Sequence, residues 1–527
     1  MLFSAESFIS QVSGTNRVWK TRDPKGRLNL LLETAPTWLF LNPHREQTRT
    51  PLFRVYAARG RLEALADCGI QGLFISPTGE TAETWSNGQQ NNTDFALVGF
   101  SFDGRAGSEN DFDQFLERIN AVPLQLGGTI VPVATGIGPD FMLALRNAKD
   151  FEGLYTLIAV PRSYWHLLPE SSHKKGSPSP SASVDWTLLP SQTEQTLRDA
   201  GILPAPFTRD TLPWTEHCGW AVTNEIASAD GTTKRFAYYA RQNGQRPLLL
   251  WQDPSNRARK ILSASIIRHT GLQQQALAGI SLKGLYGLEQ NIGSSAYKKK
   301  NERRSFHESD LEPALGALQD LSNEVQRYGG WSMLCDPLPN EYIPALLKHT
   351  DFVQDTYLSS ELESAISSGN TDPLKRMLKK MLADDIPQER LIHGLINRID
   401  TAEPSLLLTE SAADENLKPY RMRPAQKEPS KKTRVQIPGL SPHQNTEKNT
   451  PTPPFLAQLV YLGLPGLTFV QNDLLYSDPH IPFVSEKQPA YRDRIQRLLQ
   501  ARARLSPSQG RLLSCPHSPK GTILLVN

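Results

Sequence analysis

Few side chains in this 527-residue sequence are placed to do chemistry, and most of them stand beside short apolar runs. Cys335 and Asp336 directly follow Gly330–Leu334, while Asn397, Arg398, Ile399 and Asp400 follow Leu391–Ile396. A thiol with an ordinary pKa near ~8.5 is a poor substitute for a carboxylic acid as a proton donor. Ser281 is a nucleophile only if a base stands beside it. Asp336 and Asp400 are the carboxylates nearest these positions. Alternation along a strand turns each to the opposite face from its neighbour, unless a bulge at the strand end re-aims it. Asp94, in Asn91–Asn92–Thr93–Asp94, serves equally well as a turn residue. Trp85 offers a flat face for a ligand ring, or is a partly buried surface tryptophan. His393 reads as a core histidine satisfied by backbone. His166 and Trp165 read as loop packing, and Arg398 with Asp400 as a pair at the rim.

Composition narrows the choices. A hydrophobic fraction of 38% supports a large core. Lys plus Arg number 57 against 54 Asp plus Glu, a net +3 that indicates no nucleic-acid partner. The basic runs at 298–304 and 427–434 carry no interleaved aromatics and read as solvated loops. The four cysteines, Cys68, Cys218, Cys335 and Cys515, lie too far apart to pair as metal ligands, so neither a metal nor another cofactor is expected. Met1–Gly14 has no basic start leading into an apolar run. No apolar stretch approaches the roughly 20 residues of a membrane span. The expectation is a cytoplasmic chain with reduced thiols and no membrane partner.

The elements that would position these residues alternate between short β-branched runs and amphipathic stretches, the α/β pattern. Strands are expected at Thr37–Leu41, Ile70–Ile75, Gly128–Val133, Gly330–Leu334, Leu391–Ile396 and Leu467–Val470. Helices are expected at Arg61–Cys68, with Gly69 as a left-handed stop, and at Phe112–Asn120, Pro373–Leu382 and Tyr491–Leu505. A long helical stretch is expected within Asp253–Ala278. The segments 171–184 and 423–454 are rich in Pro, Ser, Lys and Thr and read as mobile loops. This order predicts a (β/α)8 TIM-type barrel over 37–505, with loop insertions near 150–250 and 410–455. An N-terminal extension (1–36) precedes it, and a truncated C-terminal β segment (506–527) follows. Such a barrel places its chemistry at the strand exits.

Those exits resemble the trehalose synthase group of glycoside hydrolase family 13, a maltose α-D-glucosyltransferase of the α-amylase superfamily. Gly69–Glu80 (GIQGLFISPTGE) is similar to the second barrel strand with its Ser-Pro-Thr exit, and Gly128–Leu143 (GTIVPVATGIGPDFML) to the third strand and its loop. Glu152–Pro169 keeps the run Trp165–His166–Leu167–Leu168–Pro169. Tyr328–Ser332 (YGGWS), Arg390–Asn397 (RLIHGLIN) and Leu464–Asp473 (LPGLTFVQND) resemble the fifth, seventh and eighth strand regions. The resemblance spans about residues 37 to 527 and lies in the order of these segments.

The resemblance implies retaining α-glucoside chemistry, which needs two carboxyl groups about 5–5.5 Å apart across the glycosidic bond. It places the nucleophile at Ser281, with the preceding arginine at Gly279. The general acid falls on Cys335 and the third carboxylate on Ile399, in the run Asn397–Arg398–Ile399–Asp400. On the third strand, an Asp and a His fall on Thr129 and Ala134. None of these positions holds the required group. The remaining substrate-side candidates are Asp94, Trp85, Asn397 and Arg398, and the rescue carboxylates are Asp336 and Asp400. The resemblance therefore implies a degenerate, catalytically inactive barrel that keeps an α-glucoside ligand (maltose, trehalose or α-glucan) or docks a partner, either an oligomer mate or an active relative. The alternatives are an active transglucosidase or α-glucan hydrolase with relocated carboxylates, and an interaction protein with no sugar role.

Overall fold

The computed structural model describes residues 24–43, 50–76, 78–79, 82–86, 89–93, 102–130, 133–149, 151–170, 186–203, 219–228, 231–241, 244–250, 257–267, 275–282, 311–336, 338, 342–355, 358, 362, 365, 372–383, 386–394, 460–471 and 489–505. Eight parallel strands close into a barrel. They are β1 (Thr37–Leu41), β2 (Gly72–Ile75), β3 (Gln125–Ile130), β4 (Gln275–Ile280), β5 (Trp331–Leu334), β6 (Phe352–Gln354), β7 (Leu391–His393) and β8 (Leu467–Gln471). Closure runs through β1, which pairs Trp38 with Gly72 on one side and with Phe469 on the other.

Period-two alternation sorts the side chains of every strand into two populations. Trp38, Phe40, Phe74, Met333, Phe352, Ile392 and Phe469 share one buried cluster inside the barrel. Leu39, Leu73, Ile75 and Val470 face the helices on one side of the wall, and Ile280, Leu334, Val353 and Leu391 on the other. The interior is a packed core, as expected of such barrels. Rings fill it, and glycines make room for them. A Cβ on Gly72 would stand 2.4 Å from the Trp38 ring, and one on Gly127 would stand 2.7 Å from Phe74 and 2.9 Å from the Leu277 carbonyl oxygen.

Between β3 and β4 lies a separate antiparallel layer. Phe236–Arg241 pairs with Gly219–Thr223, which pairs with Trp186–Leu188. Leu157–Ala159 and Arg246–Pro247 both pair with Phe236–Arg241. Bridges from Ala134 to Leu248 and from Tyr155 to Leu249 tie this sheet to the segment leaving β3. The described part of 37–505 is thus a barrel carrying a sheet on its third βα connection.

The helices follow their local signals. Ser108 caps Glu109–Asn120 through a capping box with Asp111. Gly69 stops Arg61–Asp67 with φ +94°, as its position after that helix predicts. The helix Pro489–Leu505 packs on the outside of the wall, where Leu499 is buried with Leu39, Leu73 and Val470. Its buried Arg502 donates to the carbonyls of Leu462, Leu464 and Gly466 at 2.6, 2.8 and 2.7 Å, holding the turn that leads into β8. Burial lowers the Arg502 pKa to about 9, which leaves the guanidinium charged at neutral pH.

Several expectations need correction. Among the described residues of 253–278, Arg257–Ile266 is helical, and Gln275–Ala278 opens β4 instead. Alanine and glycine in Gln275–Ile280 lack β-branching, so only neighbour pairing makes it a strand. β3 begins at Gln125, three residues before the expected Gly128. β7 ends at His393, where Gly394 adopts φ +83°, and does not run to Ile396. The N-terminal extension contains a helix, Pro24–Thr34, that the sequence reading did not anticipate. Segments 171–184 and 423–454 and the expected C-terminal β segment lie outside the described residues.

Two stability predictions follow from this packing. Gly72→Ala drives a methyl into the Trp38 ring and is expected to cost about 1–3 kcal/mol. Gly316→Ala, inside the helix Glu312–Arg327 with no heavy atom within 4 Å of the added Cβ, is expected to stabilise by about 0.5–1 kcal/mol. Urea unfolding of the two variants reads both signs. The third prediction concerns pH. Asp111 accepts from Arg54 Nε at 2.6 Å and from the Ser108 backbone N–H at 2.9 Å, which lowers its pKa from 3.8 to about 2. A carboxylate depressed on folding contributes stability above its unfolded pKa and loses it as pH falls through the folded value. Stability should therefore decline between about pH 4 and 2, and Asp111→Asn should flatten that part of the profile in acid-dependent melting.

Candidate functional site: the barrel mouth

The C-terminal exits of β4 and β5 bring three of the singled-out residues together. Ser281 follows β4 and Cys335 follows β5. The Cys335 N–H donates to the Ile280 carbonyl at 2.9 Å, which sets Ser281 and Cys335 level across the two strands. Alternation from Met333 turns Cys335 inward, where it is 6% exposed. The same alternation from Gly279 turns Ser281 to the barrel side, and this residue is half-buried.

Asp336, one residue further and past the end of β5, is fully buried. Its Oδ1 accepts from the Ser281 hydroxyl at 2.5 Å and its Oδ2 from the Leu282 N–H at 2.6 Å. This carboxylate therefore clasps the β4 exit to the β5 exit.

The space beneath these residues is filled. A Cβ on Gly279 would stand 2.9 Å from Phe74 Cζ, 3.0 Å from Met333 Cε and 3.3 Å from Cys335 Sγ. A long side chain at position 279 would have to displace buried rings.

The neighbouring exits carry uncharged groups on the inward side. Ser76, beyond β2, and Thr129, on β3, share a hydrogen bond of 2.7 Å between their hydroxyls. Ala134 is buried and bridges to Leu248 in the inserted sheet.

At β6 and β7 the structure makes a pairing that sequence reasoning missed. Asp355 follows β6 and His393 ends β7, both buried, with His393 Nδ1 and Asp355 Oδ2 3.1 Å apart. His393 Nε2 donates to the Pro465 carbonyl at 2.9 Å, and the ring stacks on Tyr461 with 6.3 Å between centroids. Asp355 Oδ1 accepts from the Leu358 N–H at 3.1 Å. Ile392 and Gln354 face inward, so His393 and Asp355 lie between the wall and the outer layer. His393 is thus a core histidine satisfied by backbone, with a carboxylate added. Asp355 was missed because β6 is three residues long and shows no readable alternation. The acidic residue ending Phe352–Val353–Gln354–Asp355 was the available signal.

Other candidates are not gathered here. Trp85 sits on the strand Ala82–Ser86, opposite Gln90 on Gln89–Thr93. Asn91–Thr93 belongs to that second strand and not to a turn. Asp94, Asn397, Arg398, Ile399 and Asp400 lie outside the described residues. Trp165 Nε1 donates to the Val160 carbonyl at 2.8 Å, in keeping with loop packing, and His166 shares its 3-10 turn. Among the described residues, no three His, Cys, Asp or Glu side chains could hold a metal ion. No helix among them is long and apolar enough to cross a membrane.

An α-amylase from H. orenii is similar in structure over 94% of this chain and 87% of its own, with a TM-score of 0.51 at 10% identity. The chain has the fold of an α-amylase barrel. Cyclic α-maltosyl-(1→6)-maltose hydrolase from Arthrobacter globiformis, in complex with maltose, aligns over 94% of this chain and 89% of its own at 11% identity and TM-score 0.49. An α-amylase from Anoxybacillus aligns over 94% and 84% at 10% identity and TM-score 0.48. No protein-family model and no curated protein sequence matches the chain.

The clasp yields a test. Asp336→Ala leaves the Leu282 N–H without its acceptor and is expected to cost about 1–3 kcal/mol. Ser281→Ala removes one donor from a carboxylate that keeps another, and is expected to cost about 0.5–1.5 kcal/mol. Denaturant unfolding of both variants and of the double variant should show coupling between the two positions.

Proposed function

We propose that this chain is a non-catalytic member of the α-amylase superfamily whose barrel mouth keeps an α-glucoside ligand or docks a protein partner. The motif order in the sequence points, within that superfamily, to the trehalose synthase branch. One observation carries the reading. The level positions after β4 and β5, where the resemblance requires nucleophile and acid, hold Ser281 and Cys335. The carboxylate nearest them, Asp336, is engaged by the Ser281 hydroxyl and the Leu282 N–H.

The chemistry follows from those groups. Retaining cleavage needs one carboxyl to attack the anomeric carbon and another to protonate the leaving oxygen. Ser281 donates to the Asp336 carboxylate, which also accepts from the Leu282 N–H, and a serine is not the carboxyl nucleophile that this route uses. Cys335 is a buried thiol and supplies no carboxyl group to protonate the leaving oxygen. The relocated-carboxylate alternative requires Asp336 to give up its bonds to Ser281 and Leu282. Cytoplasmic residence, and association with an active relative, belong to the same proposal.

The purified chain is expected to convert no maltose to trehalose and to hydrolyse no α-glucan, measured by product chromatography over long incubation. Turnover that disappears in Asp336→Asn or Asp400→Asn would establish the alternative. The triple substitution Ser281→Asp, Cys335→Glu and Ile399→Asp is expected to yield trace activity at best. Phe74 and Met333 fill the space a longer side chain at Gly279 would need to help orient the sugar.

A further inference from the structure

The donors and acceptors around His393 do not balance for a neutral ring beside an ionised carboxylate. Nε2 lies 2.9 Å from the Pro465 carbonyl oxygen, and Nδ1 lies 3.1 Å from Asp355 Oδ2. A carbonyl oxygen only accepts, and so does an ionised carboxylate. A neutral imidazole has one N–H and one lone pair, so it can serve only one of these partners. The other contact would set lone pair against lone pair inside the fold, where both side chains are 1% exposed. Asp355 Oδ1 already accepts from the Leu358 N–H at 3.1 Å, so a carboxylic proton on Asp355 would sit on Oδ2 and point at the ring. Whether it rests on nitrogen or on oxygen, a second proton is needed on the line between Nδ1 and Oδ2.

We propose that folding takes up one proton here, shared by Asp355 and His393, and that this proton latches the exits of β6 and β7 to the turn before β8. The shared proton belongs to the pair and not to either residue alone. With it the pair carries no net charge, whereas a neutral ring beside an ionised carboxylate would bury a net negative charge at a cost. Other ionisable groups on the surrounding elements are directed elsewhere. Tyr461 offers His393 its ring face, with 6.3 Å between centroids. Arg502, on Pro489–Leu505, donates to the carbonyls of Leu462, Leu464 and Gly466. Arg390 and Asp351, at the opposite ends of β7 and β6, bond to the Leu347 carbonyl and the Ser332 N–H. On Asp372–Ala383, Lys375 pairs with Asp372, and Arg376 and Lys379 are exposed. In an unfolded chain an ordinary histidine loses its proton near about pH 6.5, where aspartate is already ionised. Above that pH the folded chain holds one proton more than the unfolded chain. Stability is therefore full below it and falls as pH rises, until the pair gives its proton up.

The test is urea unfolding of the full chain across neutral to mildly alkaline pH, beside Asp355→Asn. An asparagine can accept from the Leu358 N–H through its oxygen and donate to Nδ1 of a neutral ring through its amide, so it needs no extra proton. Between about pH 7 and 8 the unfolding constant of the unmodified chain is expected to rise about tenfold relative to that of the variant, the linkage of one proton. PH effects from other groups are common to both chains and cancel. A second measurement uses the unmodified chain alone, so the outcome does not hang on the variant folding. Nitrogen-15 and carbon-13 spectra at mildly alkaline pH, with the His393 ring assigned through its contact with Tyr461, are expected to show a doubly protonated ring or a protonated Asp355 carboxyl. Parallel pH profiles for the two chains would overturn the inference. A neutral His393 ring beside an ionised Asp355 in those spectra would overturn it as well.

Discussion

Ring-against-glycine packing inside the barrel is the constraint on which the rest of the structure depends. Trp38 occupies the place a side chain at Gly72 would need, and Phe74 does the same at Gly127 and Gly279. Eight strands can close only if the summed volume of inward side chains fits the interior. Here large rings are matched to residues with no side chain. Phe40, Phe74, Trp38 and Phe469 then pack edge-to-face or stacked on one another. Once those rings are seated, the register of every strand is set, because a slip of one residue would turn rings outward and leave the interior unfilled.

The mouth inherits its character from that packing. Since Gly279 is inward, Ser281 is inward, and since Met333 is inward, Cys335 is inward. The same rule puts Asp355 and His393 between wall and outer layer, where they tie β6 and β7 to the turn before β8. Arg502 holds that turn from the other side by donating to three carbonyls. Among the described residues, Asp336, Asp355, His393 and Arg502 thus hold the segments after β4, β6 and β7 and before β8 to the wall.

Much of the architecture was legible beforehand. The run Thr37–Leu41 became a strand with the expected bounds, and the runs near Gly72, Trp331 and Leu467 became barrel strands within two residues of expectation. Strongly periodic helices such as Glu109–Asn120 and Asp372–Ala383 were equally clear. β4 was misread because Gln275–Ile280 carries little β preference, and β6 was overlooked because three residues cannot display a period. In both cases pairing with neighbours, a tertiary effect, makes the strand.

The sequence by itself determined the alternation of strand and helix, the positions of the ring-bearing and glycine residues, and the absence of carboxyl groups at Ser281 and Cys335. These are local properties, carried by residue type and by period. Only the tertiary structure decided that Asp336 bonds to Ser281 across 55 residues of chain and that Asp355 meets His393 across 38. Spacing along the chain carries no information about such contacts. They exist because barrel closure brings adjacent strand exits to one rim, and because strand register decides which residues on neighbouring exits stand level.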